Sequence, residues 1–186
     1  MAYPTNNLRI KSSRVVLPPI FLEEEMPITE NASRTVFEAR HQIVDILNGA
    51  DDRLIVVVGP CSIHDPAAAR EYAGLLKGAI EELSSDLMIV MRVYFEKPRT
   101  IVGWKGLIND QHLDESFKIN DGLRVARRLL LDLGEMGMPA GTEFLFGHRI
   151  RSPRDSKRAN YPCRITRFRS TVGLISICLR PTSGGL

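Results

Sequence analysis

Five residues have side chains whose types and placement point to chemistry: Cys61, Arg92, Lys97, Arg99 and Glu143. A cysteine thiolate is a soft metal ligand. Arginine grips phosphate or carboxylate as a two-toothed fork, and lysine binds the same groups as a point charge. Three cations, a thiol and a carboxylate gathered in one place would hold an anionic ligand, with phosphate or carboxylate the natural choice.

A parallel sheet would gather them. LIVVV, residues 54–58, is short, β-branched and apolar throughout, as expected of a strand buried on both faces. Gly59-Pro60-Cys61-Ser62 ends it. His64-Asp65 then reads as a capping turn: Asp65 can cap a helix and Pro66 suits its first position. The helix predicted from Pro66 to Leu83 buries Tyr72, Leu75, Leu76, Ala79, Ile80 and Leu83. Leu87 to Val93 reads as a second buried strand. A long loop follows from Tyr94 to about Asn120. A third helix is expected over residues 121–136, with Leu123, Ala126, Leu130 and Leu133 inward and Gly137 beyond its end. Pro139 to Leu145 reads as a third strand. Upstream, a helix is expected from Ala32 to Asn48, with Val36, Phe37, Ile43, Val44 and Leu47 on one face and Asn48-Gly49 as its stop. Residues 1–30 read as irregular, since Pro18-Pro19 argues against regular structure.

Alternating apolar strands and helices imply an α/β fold with parallel pairing through right-handed crossovers. Such sheets bind ligands at the C-terminal ends of their strands. Cys61 follows the first strand and Arg92 ends the second. Lys97 and Arg99 come just after it, and Glu143 lies near the end of the third. Singly, each has a plainer reading: Cys61 as a buried small hydrophobe, Arg92 as the partner of a core acid, Lys97 and Arg99 as solvated loop charges, Glu143 as half of a structural ion pair. Their shared rim favours a site. His41 and His112 read as surface residues.

The chain has 186 residues, 44% hydrophobic and 25% charged, as in an ordinary soluble globular protein. No apolar run approaches the ~20 residues of a membrane span. The N-terminus has no apolar h-region, so no signal peptide is expected. Cys61, Cys163 and Cys178 are too few and too scattered for a disulfide scaffold or zinc ribbon, so a reducing, cytoplasmic setting is expected. The net charge of +3 conceals a division. Residues 1–145 hold 16 Lys+Arg and 21 Asp+Glu, a balance of −5, whereas residues 146–186 hold 9 Lys+Arg and one acid, Asp155, a balance of +8.

GPCSIHD at 59–65, RVYFEKPRT at 92–100 and GWKGLIND at 103–110 closely resemble the bacterial feedback-regulated class of 3-deoxy-D-arabino-heptulosonate 7-phosphate (DAHP) synthase. So does NDGLRVARRLLLD at 120–132, and the resemblance covers residues 1–145. It implies a (β/α)8 barrel with an N-terminal extension, and the first step of the shikimate pathway to aromatic amino acids. In that reaction the enol carbon of phosphoenolpyruvate attacks the aldehyde of erythrose 4-phosphate. Water adds at the former enol carbon and phosphate leaves. A divalent metal of the Mn, Fe, Co or Zn class polarises the aldehyde. Carried onto this sequence, the resemblance makes Cys61 a metal ligand and Arg92 a phosphoenolpyruvate ligand. Lys97 sits between the substrates as a candidate proton donor. Lys97, Pro98, Arg99 and Thr100 hold erythrose 4-phosphate, and Glu143 orients water near phosphoenolpyruvate. The segment around Asn6 to Ile10 is expected to pack between subunits of a homo-oligomer and help form a feedback site. Three residues depart from the family pattern: Ile101, Gln111 and Phe146.

From Phe146 the resemblance stops. The expected division is an extension with its helix at 1–50, the first part of a barrel at 51–145, and a basic, disordered, unrelated tail at 146–186. A reading-frame change near codon 146 is the leading account of that tail. A barrel needs about 250 residues, so this chain is expected to leave an open sheet edge. The His, Glu and Asp that complete the family's metal site have no match beyond it: downstream stand only His148 and Asp155, and no Glu. Little or no synthase activity is therefore expected of the chain as given. The alternative is a non-catalytic fragment, either pairing with intact subunits or binding acidic surfaces or nucleic acid through its Arg-rich tail. The tail has few aromatics and no recognisable binding fold, so neither nucleic acid nor membrane is expected as a partner.

Overall fold

Local sequence signals set most element boundaries. In the computed structural model, which describes residues 15–97 and 103–142, the order is α1 Pro19–Glu25, α2 Glu30–Leu47, β1 Leu54–Val58, α3 Pro66–Leu83, β2 Leu87–Arg92, α4 Ile119–Glu135 and β3 Ala140–Gly141. Asp65 caps α3 by accepting the N–H of Ala67 at 2.8 Å, and Pro66 opens the helix. Thr29 caps α2, its hydroxyl accepting from the N–H of Ala32 at 3.3 Å, so that helix starts slightly earlier than expected. Past the ends of α2 and α4, Gly49 and Gly137 turn left-handed with φ of 74° and 75°. No helix among the described residues is long and apolar enough to cross a membrane.

The three strands form one parallel sheet in the order β1-β2-β3. Leu54 stands opposite Leu87 and Val58 opposite Met91. Met91 stands opposite Ala140 and Arg92 opposite Gly141. The N–H of Val93 still donates to the carbonyl of Gly141 at 2.8 Å, so the ladder continues past the last named residue of β2. This is the expected α/β, strand–helix–strand arrangement. The part of the third predicted strand beyond Thr142, and the whole tail, lie outside the described residues.

Helices α2, α3 and α4 pack with the sheet around one core that includes Val90, Met91, Leu129, Leu130, Leu133 and Met138. The expected inward residues of α4, Leu123, Ala126, Leu130 and Leu133, are all buried. Small residues bring α2 close to α4. A Cβ at Gly134 would lie 2.8 Å from that of Ala32, and the Thr35 hydroxyl donates to the Gly134 carbonyl at 2.9 Å.

Three expectations are corrected. Residues 19–25 are helical, because Pro19 sits at the N-terminal position where its missing N–H costs nothing, and Leu22 anchors the turn in full burial. The buried stripes of α2 and α3 are narrower than an apolar count suggests. Alanines carry much of them: Ala32, Val36, Ala39 and Ile43 in α2, Ala69 and Ala73 in α3. Phe37, Val44 and Leu47 are exposed, as are Leu75 and Leu83. Finally, β1 is not covered on both faces. It pairs only with β2 among the described strands, and its Leu54 and Val57 are exposed.

Candidate active site

The chain leaves β1 through Gly59 and must pass tightly against the end of β2. A Cβ at Gly59 would lie 2.6 Å from the Arg92 carbonyl oxygen, and this backbone leaves no room for one. Ile63, 2% exposed, fixes the following turn by donating its N–H to the Tyr94 carbonyl at 2.8 Å. Between these anchors Cys61 stands exposed on the rim. It is therefore not a buried small hydrophobe.

Arg92, half-buried, ends β2. Its Nη2 donates to the backbone carbonyl of Cys61 at 3.3 Å. Its guanidinium carbon lies 4.0 Å from the ring centroid of Tyr94, a cation–π contact. Its Nε is buried and has no hydrogen-bond partner among the described residues. Arg92 is thus held by a backbone carbonyl and an aromatic face, and keeps an N–H in reserve. A buried donor left unpaired is costly, and a ligand acceptor would relieve it.

Lys97 is placed by a return of the chain. Glu96 forms an antiparallel bridge with Gly106, and the Lys97 N–H donates to the Lys105 carbonyl at 3.1 Å. Gly106 has φ of 105°, and a Cβ there would strike the Phe95 carbonyl. The returning loop has its own anchors. Leu107 is 1% exposed, and Trp104 Nε1 donates to the Asp110 carbonyl at 2.6 Å. The buried Asp110 carboxylate accepts the N–H groups of Asp114 and Glu115 at 3.3 and 3.1 Å. With the loop so fixed, Lys97 Nζ reaches 3.1 Å from Cys61 Sγ.

Cys61, Arg92 and Lys97 therefore meet at the C-terminal end of the sheet. Pro98, Arg99, Thr100 and Glu143 lie outside the described residues. The sequence reading missed Tyr94, Gly106 and Asp110, which support the site. Their signal was present in Tyr94 two residues after Arg92 and in the Trp104–Asp110 spacing, but it lay inside a segment read simply as loop. His41 and His112 are exposed, as expected.

Chemically, two cations beside an exposed thiol suit a small anion with phosphate or carboxylate oxygens. A divalent metal does not fit what is described. Cys61 offers one donor, and no group of three or more His, Cys, Asp or Glu residues among the described residues could hold a metal ion.

The sequence pattern of the DAHP synthetase I family matches residues 25–152, running slightly past the break expected at Phe146. The phospho-2-dehydro-3-deoxyheptonate aldolase, Phe-sensitive, of Escherichia coli (strain K12) is 63% identical over 145 residues, 78% of this chain and 41% of that protein. A phospho-2-dehydro-3-deoxyheptonate aldolase of Amycolatopsis methanolica is 52% identical over 140 residues and is covered over 69% of its length. Among solved structures, the phospho-2-dehydro-3-deoxyheptonate aldolase of Francisella tularensis SCHU S4 superposes with a TM-score of 0.70 at 54% identity, over 73% of this chain and 40% of that one. This chain thus spans about two fifths of the length of the E. coli relative, 41% of it. With three site residues assembled on a parallel rim and the family pattern running through them, the chain belongs to the DAHP synthetase I family.

Proposed function

We propose that this chain carries the phosphoenolpyruvate-binding part of a DAHP synthase, the enzyme that joins phosphoenolpyruvate, erythrose 4-phosphate and water to give DAHP and phosphate. The observation that carries the reading is Arg92. It ends the central strand, is held against Tyr94 and the Cys61 carbonyl, and keeps its buried Nε unpaired among the described residues. An oxygen of phosphoenolpyruvate would accept that N–H. Lys97, beside it, would neutralise a second oxygen and supply a proton between the two substrates. Pro98, Arg99 and Thr100 would receive erythrose 4-phosphate, and Glu143 would orient the water. Cys61 would offer a metal a single donor, and the described residues do not complete a metal site. The parallel sheet is the corresponding part of a (β/α)8 barrel, preceded by an extension through residue 50 and followed by a separate tail from residue 146. A cytoplasmic homo-oligomer is the form in which the enzyme would work.

Because the chain spans 41% of its E. coli relative, it is expected to bind phosphoenolpyruvate without turnover. The single tryptophan, Trp104, lies in the loop that places Lys97, so its fluorescence is the natural readout of binding. Titrating the chain with phosphoenolpyruvate is expected to give a saturable change in its fluorescence, weakened about tenfold or more in Arg92→Ala. No saturable change in the unaltered chain would overturn the assignment. Robust DAHP formation would overturn the expectation of inactivity.

A further inference from the structure

An arginine serves an anion only if its guanidinium points one way, and Arg92 has few polar anchors. Its hydrogen bond to the Cys61 carbonyl, at 3.3 Å, is long for an N–H donor and a carbonyl oxygen. It makes no ion pair among the described residues. What remains is the ring of Tyr94, whose centroid lies 4.0 Å from the guanidinium carbon. The chain past β2 puts these two side chains on one side. Val93 and Phe95 are buried, at 0% and 2% exposure, while Arg92, Tyr94 and Glu96 alternate with them and are half-buried. A carboxylate partner would hold the arginine too, but it would cancel the charge and occupy the N–H groups that a ligand needs. An aromatic ring attracts the cation without a counter-charge. It leaves the buried Nε unpaired among the described residues.

We propose that Tyr94 is a positioning residue for Arg92: its ring holds the guanidinium in the direction that presents Nε to the ligand. The ring does this, and neither the hydroxyl nor the backbone. The Tyr94 carbonyl has a separate task, accepting the Ile63 N–H at 2.8 Å, and that bond does not depend on the side chain. The inference rests on the assignment of Arg92 as the phosphoenolpyruvate ligand and deepens it. One arm of the test needs no ligand, so the two readings fail separately.

The first arm is NMR of the full 186-residue chain without ligand, with the Arg92 signals assigned through Arg92→Lys. The ring current of Tyr94 is expected to move the Arg92 δ-methylene and Nε–H resonances away from those of an exposed arginine. Tyr94→Leu should return them, and Tyr94→Phe should keep them displaced. The second arm titrates phosphoenolpyruvate against Trp104 fluorescence. Tyr94→Leu is expected to weaken binding about fivefold, and Tyr94→Phe to hold it within about twofold. The unaltered chain already decides the first arm, so the test survives a Tyr94→Leu chain that fails to fold. The proposal is overturned by undisplaced Arg92 resonances in the unaltered chain, by full affinity in Tyr94→Leu, or by a loss in Tyr94→Phe as large as in Tyr94→Leu. Displaced resonances in a chain that does not respond to phosphoenolpyruvate would support the hold of Tyr94 on Arg92 and overturn the phosphoenolpyruvate assignment.

Discussion

Lys97 Nζ lies 3.1 Å from Cys61 Sγ, although the two residues follow different strands. Neither is placed by its own strand alone. Cys61 is set by the tight passage at Gly59 and the Ile63–Tyr94 hydrogen bond. Lys97 is set by the Glu96–Gly106 bridge. The contact therefore reports that two independent turns have closed on one another. The ammonium belongs to the phosphoenolpyruvate site proposed above. The thiol is a neighbour whose backbone, more than its sulfur, positions Arg92.

The two side chains are accordingly expected to behave differently on substitution. Lys97→Ala should weaken phosphoenolpyruvate binding about tenfold, the loss of one charge-assisted hydrogen bond. Cys61→Ser keeps the carbonyl that accepts from Arg92, and should change affinity by no more than about twofold. Trp104 fluorescence titration measures both. Equal losses would show that the thiol itself organises the anion site.

Gly59→Ala tests the passage between strands. The added methyl would meet the Arg92 carbonyl oxygen at 2.6 Å and both Arg92 N and Cβ at 3.0 Å. Two of these are backbone atoms, so the end of β2 has to move. A loss of about 1–3 kcal/mol is expected in urea unfolding, with weaker phosphoenolpyruvate binding, since the displaced residue is the proposed phosphoenolpyruvate ligand. A variant as stable as the parent, with unchanged binding, would mean that the turn at Gly59 has slack.

The sequence was most legible where one residue type has one physical use. Asp65-Pro66 reads as a strong helix start, the short β-branched LIVVV as a strand, and α4 has an apolar stripe wide enough to name its inward residues. It was less legible where tertiary context decides. Pro18-Pro19 reads as a breaker until Pro19 is found at a helix start, where Leu22 and the α4 arginines hold it. Leu75 and Phe37 read as core because hydropathy cannot see that alanines take the inner positions. At the site, the types of Cys61, Arg92 and Lys97 suggested an anion, and strand order put them on one rim. The loop that aims Lys97 was not legible. Its form depends on Gly106 passing under Phe95 and on the buried Asp110 carboxylate collecting backbone N–H groups. Both are long-range matters of packing, which periodicity does not record.

Arg127 explains how α1 is kept in place. It is 2% exposed, and its Nε and Nη2 donate to the Met26 carbonyl at 3.1 and 2.7 Å. Burial lowers its pKa, opposed by the charge of Glu23, yet a guanidinium stays protonated. Arg124 adds a contact to Glu25, its Nε shared between the two carboxylate oxygens at 2.8 and 3.0 Å. Arg127→Met keeps most of the volume and removes the donors, leaving the Met26 carbonyl short of partners. A loss of about 1–3 kcal/mol is expected, with faster amide exchange confined first to residues 19–26. Arg124→Ala, on an exposed, solvent-screened pair, should cost less than Arg127→Met. The reverse ranking would show that α1 is held by its surface ion pair.

Asp51 gives the fold a pH dependence whose sign can be worked out. Arg53 grips its carboxylate, with Nη2 at 2.7 Å from Oδ2 and Nε at 3.1 and 3.0 Å from the two oxygens. The Arg53 backbone N–H adds a further bond at 3.0 Å. The same guanidinium reaches the Ser84 carbonyl and Gln42, so one side chain ties the turn before β1 to the end of α3 and to α2. The side-chain hydrogen bond to Arg53, then the backbone one, hold the Asp51 carboxyl below its ordinary value of 3.8. A depressed carboxyl contributes stability that is fully present above its unfolded pKa and is lost as pH falls through the folded one. The chain should therefore be more stable than Asp51→Asn at about pH 6, and the gap should narrow as pH drops below 3.8. Urea midpoints for both proteins across that range measure it. A gap that stays constant down to about pH 2.5 would mean that Asp51 contributes through its shape and neutral hydrogen bonds, and that the Arg53 pairing adds no pH-linked stability.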